Sequence, residues 1–105
     1  MAFLLFYVTC PSQSIALDIS QEVVSRGLAA CANVFPSQSI YWWKDVPKKE
    51  KEWVIMIKTS AIRELELEKA ILELHPDEVP CIIRFESKAN EAYERWVKES
   101  TLLAK

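Results

Sequence analysis

The residues best suited to chemistry are few: one histidine, His75, and three cysteines, Cys10, Cys31 and Cys81. His75 stands in Leu74-His75-Pro76-Asp77-Glu78-Val79-Pro80, where a helical pattern gives way to a strand pattern. An imidazole can ligate a metal or pass a proton near neutral pH, and Pro76 and Pro80 restrict the backbone on either side. The competing role for His75 is structural, capping the last carbonyls of its helix, where positive charge is favoured. The cysteines are odd in number and widely spaced, with no Cys-x-x-Cys pair, which argues against a zinc ribbon or a thioredoxin-type redox site. Their plain reading is as reduced, mostly buried thiols. No two carboxylates have a separation suited to hydrolase chemistry. Neither a Gly-x-Ser-x-Gly elbow nor a phosphate-binding loop occurs, and Gly27 is the sole glycine. A Cys31–His75 nucleophilic pair lacks a third group to orient it.

The elements that must position these residues follow from periodicity. Residues 2–9 are a continuous apolar run, as in a central strand, ending at Thr9-Cys10-Pro11. Ser12 is an N-cap for a helix whose Ile15, Ile19 and Val23 form one face, widened by Ala16 and Val24. Gly27 lies where that helix should stop in a left-handed cap. The small residues of Leu28–Phe35 predict close packing, Pro36 interrupts, and Ile40-Tyr41-Trp42-Trp43 resumes a strand. The polar Lys44–Lys51 stretch reads as a hairpin tip, with Trp53–Lys58 returning as its second strand. Thr59 or Ser60 is expected to cap the next helix, which buries Leu67, Ala70, Ile71 and Leu74 until Pro76 ends it. Val79–Phe85 reads as a further strand. Asn90 caps a last helix with Tyr93, Trp96, Val97 and Ser100 on one face.

This order predicts a single domain over residues 1–105 of α+β class. It is a ferredoxin-like β-α-β-β-α-β sandwich with an antiparallel sheet, a long hairpin between its second and third strands, and an extra C-terminal helix. Both crossing helices cover one sheet face. Tyr41, Trp42, Trp43 and Trp53 make both sides of the hairpin apolar, and such a patch marks an interaction surface, so a homo-oligomer is expected. The net charge of −2, with 27 % charged residues of both signs, argues against nucleic acid as a partner. The apolar first ten residues have no basic lead or cleavage signal and are too short to span a bilayer. The expected place of work is therefore the cytoplasm, with no membrane association.

Five blocks then carry a family resemblance: Thr9-Cys10-Pro11, Leu28-Ala29-Ala30-Cys31-Ala32-Asn33, Ser39-Ile40-Tyr41-Trp42-Trp43, Ile57-Lys58-Thr59 and Leu74-His75-Pro76-x-Glu78-Val79-Pro80. In order and spacing they resemble the CutA family of divalent-cation tolerance proteins over nearly the whole chain. The resemblance implies a homotrimer similar in architecture to the PII signalling proteins, and it brings no established enzymatic activity. It implies copper or another divalent cation as ligand, none being required for folding, and leaves room for an unidentified protein partner. Onto this chain it carries Cys31 and His75 as metal ligands, a set that Glu78, Cys10, Cys81 or a neighbouring subunit would complete. Lys58 and Trp43 become candidate contacts for a small anionic ligand in the alternative of a PII-like signalling or scaffolding trimer. Three features depart from the family pattern. Asp77 replaces a tyrosine, Cys81 replaces an acid, and lysines replace acids at the hairpin tip. The lysines work against a cation site at that tip.

Overall fold

The computed structural model describes residues 3–102. Its elements are β1 (Phe3–Cys10), α1 (Gln13–Ser25), β2 (Cys31–Trp43), β3 (Val46–Ser60), a 3-10 turn (Ala61–Arg63), α2 (Glu64–Leu74), β4 (Ile82–Ser87) and α3 (Glu91–Leu102). The sheet order is β2-β3-β1-β4, antiparallel throughout. This is the α+β, ferredoxin-like sandwich with a long hairpin and a third helix that the residue pattern predicts.

Alternation along β1 decides what each face does. Leu4, Phe6, Val8 and Cys10 point into a core with Ile55 and Ile57 of β3, Ala16, Ile19 and Val23 of α1, and Leu67, Ala70 and Ile71 of α2. Each large side chain fully buried there contributes roughly 1.5–3 kcal/mol. Leu5, Tyr7 and Thr9 face the other way and are only partly buried. α3 covers one end of that second face, burying Val97 and Thr101 and setting Tyr93 edge-on to Phe3 at 6.1 Å.

The ends of α1 follow its sequence. The Ser12 hydroxyl accepts the Ile15 N–H. Gly27 adopts φ 74°, and Gly27 and Leu28 donate to the carbonyls of Val24 and Val23, closing the last turn in a Schellman motif.

Other expectations are corrected. Neither Thr59 nor Ser60 caps α2, because both hydroxyls are engaged elsewhere. Thr59 Oγ1 donates to the Leu28 carbonyl at 2.7 Å, and Ser60 Oγ lies 2.6 Å from Thr101 Oγ1. Since Thr101 gives its own hydrogen to the Val97 carbonyl, Ser60 is the donor in that pair. Arg63 adds a bond from Nε to the Thr101 carbonyl, so this segment fastens α3 to the sheet. On α3 the inward residues are Tyr93, Val97 and Thr101, while Trp96 stays 46 % exposed. Pro36 does not interrupt β2, which is an edge strand and tolerates a missing N–H. The hairpin strands run on to a two-residue turn at Lys44 and Asp45, and β4 begins at Ile82, leaving Val79 in an exposed loop.

Candidate functional site

The expected ligand set does not come together within one chain. His75 follows α2 as its C-cap in an extended conformation, as a residue before proline must be. Its buried ring is committed on both sides. Nε2 lies 2.7 Å from the Thr9 carbonyl, an acceptor only, and the Asp77 N–H donates to Nδ1 at 3.1 Å. These bonds require the neutral ring with hydrogen on Nε2. His75 therefore ties the end of α2 to the end of β1, and its lone pair is already used. Neither the expected metal-ligand geometry nor the expected cap on its own helix carbonyls is what it makes.

Cys31 lies elsewhere. It pairs across the sheet with Lys58, which pairs with Leu5, four residues from Thr9 along β1. At roughly 3.3 Å per residue the two levels are about 13 Å apart along the strands. Glu78 sits exposed in the loop before β4, at the sheet edge opposite β2. Among the described residues no three His, Cys, Asp or Glu side chains are grouped to hold a metal ion.

What the structure does assemble is a polar cluster around Lys58 on the second sheet face. The ammonium donates to Asn33 Oδ1 and reaches Cys31 Sγ at 3.8 Å. Tyr93 of α3 completes it: burial, and then the charge and hydrogen bonding of Cys31 beside it, push the Tyr93 phenol upward. The sequence signal for Asn33 was its two-residue spacing from Cys31, which sets both on one face of β2. Helical spacing puts Tyr93 on an inward face of α3, and only the packing of that helix supplies its partner.

The other thiols are isolated from this cluster. Cys10 is fully buried on the helix-covered face, and burial, then the carboxylates of Asp77 and Glu52, raise it to about 11. Cys81 is exposed just ahead of β4. Trp43 is half exposed at the hairpin tip, but the Lys44 and Lys48 ammonium groups lie 5.7 and 5.8 Å from its ring centroid. A ligand stacking there must displace its own chain's lysines. Beside it the Tyr41 hydroxyl donates to Glu50 at 2.6 Å, a bond that holds Tyr41 up at about 12 and lowers Glu50. On the helix-covered face Arg84 pairs with Glu64 and Glu68 at 2.9 and 2.5 Å and lies over the Phe6 ring, an arrangement that fastens α2 to β4.

Comparison with known proteins accords with this architecture. Residues 4–100 match the family described as CutA1 divalent ion tolerance protein. The divalent-cation tolerance protein CutA of Thermotoga maritima is 38 % identical over 101 residues, covering 94 % of this chain and 99 % of that protein. The crystal structure of divalent ion tolerance protein CutA1 from Ehrlichia chaffeensis superposes with a TM-score of 0.92 at 32 % identity, over 97 % of each chain. A periplasmic divalent cation tolerance protein CutA from Archaeoglobus fulgidus superposes with a TM-score of 0.90 at 26 % identity, over 94 % of this chain and 98 % of that one. The chain belongs to the CutA1 divalent ion tolerance family.

Proposed function

We propose that the protein serves divalent-cation tolerance as a homotrimer that binds copper or another divalent cation in clefts between subunits. The observation that carries the trimer is the second sheet face. Beyond the end capped by α3 it presents Phe35, Ile83 and Phe85, each more than 40 % exposed, beside partly exposed Tyr7 and Met56. A continuous apolar face of this kind calls for a protein partner. Membership of a divalent-ion tolerance family supports cation binding, and the ligand placement suggests its form. Cys31 is partly buried and Glu78 exposed, and they lie at opposite sheet edges, so joining them takes two chains. His75 would join them only by giving up a backbone bond. Sedimentation at micromolar concentration and titration with Cu²⁺ and Zn²⁺, read by tryptophan fluorescence, test both halves. A trimer retaining about one ion per subunit, lost in Cys31→Ser and Glu78→Gln, is the expected result. A monomer, or equal binding by both variants, overturns it.

One observation favours a second reading, a PII-like trimer whose cleft takes a small anion or a partner protein. The Lys58 ammonium stands on the face where subunits would meet, held by Asn33 rather than by a carboxylate. Titration with a nucleotide panel, with Lys58→Gln as control, separates the readings. The three free cysteines fit work in a reducing cytoplasm, which cell fractionation checks directly.

A further inference from the structure

The geometry points to Cys31 and Lys58 as a redox modification site, in which peroxide oxidation joins the sulfur of one to the amine of the other. Three observations lead there. Lys58 Nζ is 3.8 Å from Cys31 Sγ and bonded to it, and the two residues are direct cross-strand partners, so the approach is built into the sheet register. Cys31 is only partly buried, on an edge strand, within reach of a molecule as small as hydrogen peroxide. The usual resolving partner, a second thiol, is out of reach within the chain. The sheet itself separates Cys31 from Cys10, and Cys81 lies by the opposite edge strand. A sulfenic acid on Cys31 thus meets an amine before it meets a thiol.

The chemistry balances with one peroxide. The Cys31 thiol reduces hydrogen peroxide, giving Cys31 sulfenic acid and one water, with two electrons leaving sulfur. Lys58 gives up a proton to solvent. Its amine lone pair then attacks the sulfenyl sulfur, the S–O bond breaks, and a second water leaves as the S–N bond of a sulfenamide forms. Two equivalents of thiol reductant restore both side chains through a mixed disulfide at Cys31. Lys58 loses its cationic charge while the bond lasts, and β2 and β3 are joined covalently at Cys31 and Lys58. The inference does not depend on the metal reading.

The test exposes the intact protein to low millimolar peroxide and follows it by peptide mass spectrometry with the sulfenic-acid trap dimedone. The expected product is a Cys31–Lys58 linked peptide lighter by two hydrogens, resistant to trypsin after Lys58 and released by dithiothreitol. Lys58→Arg keeps the positive charge but removes the nucleophile, so Cys31 should then accumulate as the dimedone adduct. Cys31→Ser should yield no linked peptide. Wild-type protein whose Cys31 collects dimedone or proceeds to sulfinic acid, with trypsin still cutting after Lys58, overturns the proposal. So does a variant Lys58→Arg that traps no more dimedone than wild type.

Discussion

His75 is bonded on both sides of its ring, and those bonds argue for a structural role. Its replacement by alanine removes both bonds, the one to the Thr9 carbonyl and the one from the Asp77 N–H, at about 1 kcal/mol for each part-buried bond. We expect His75→Ala to lower the urea midpoint measurably while copper stoichiometry per folded subunit stays unchanged; loss of copper at unchanged stability would reverse the assignment. Cys10 yields a prediction of definite sign. Its thiol ionises at 9.0 when unfolded and at about 11 when folded, mainly because of burial. Between those values the unfolded chain binds fewer protons than the native one, so stability falls as pH rises. The contribution is complete below pH 9 and gone above about 11. Denaturant midpoints measured across this range should decline more steeply for wild type than for Cys10→Ala, and parallel slopes would discount the effect. In Glu50→Gln, spectrophotometric titration should find one tyrosine, Tyr41, moved from about 12 toward 10.0, since its hydrogen bond to a carboxylate is the largest cause of the shift.

At the scale of elements, the sequence was legible wherever a stretch had one apolar face. α1 shows this best, with a readable N-cap at Ser12 and a readable stop at Gly27. Gly27→Ala should cost about 1–2 kcal/mol, the penalty of a Cβ in the left-handed region, checked by thermal denaturation. The outer hairpin was harder to read because both its faces are wet in a single chain, so polar residues from Val46 to Glu52 resembled a loop. Backbone pairing carries those strands to the tip, where Lys44 and Asp45 take φ 49° and 67°. Such turns favour Asn-Gly. Lys44→Asn with Asp45→Gly should stabilise the protein by about 1 kcal/mol, and a lower melting temperature in the double variant would contradict the turn assignment. The candidate site was legible in its residues but not in its grouping. The family resemblance named Cys31, His75, Lys58 and Glu78, yet which of them meet depends on register and strand order. Cys31 and Lys58 are 27 positions apart in sequence and cross-strand neighbours in space.

At the scale of the molecule, shape and surface argue for assembly. The chain measures 44 × 25 × 20 Å, and the long dimension reflects a hairpin that extends beyond the helix layer with Ile40 and Trp42 each 74 % exposed. An arm of one kind and a sheet face of another are not self-complementary. Contacts between them close either reciprocally about a two-fold axis or head to tail around a ring. A three-membered ring satisfies this and gives every arm a receiving surface. Phe85 is the residue to break it with, because it lies on the edge strand β4 of the uncovered face, 46 % exposed, outside the core cluster beneath the helices. Phe85→Glu should leave the circular dichroism spectrum of the fold intact, since the carboxylate can remain in water in a lone chain. In the assembly the same carboxylate would be buried without a partner, at a cost of several kcal/mol. The variant should therefore sediment as a monomer at concentrations where wild type forms the proposed trimer. Should it sediment with the wild type, the sheet face is not the interface.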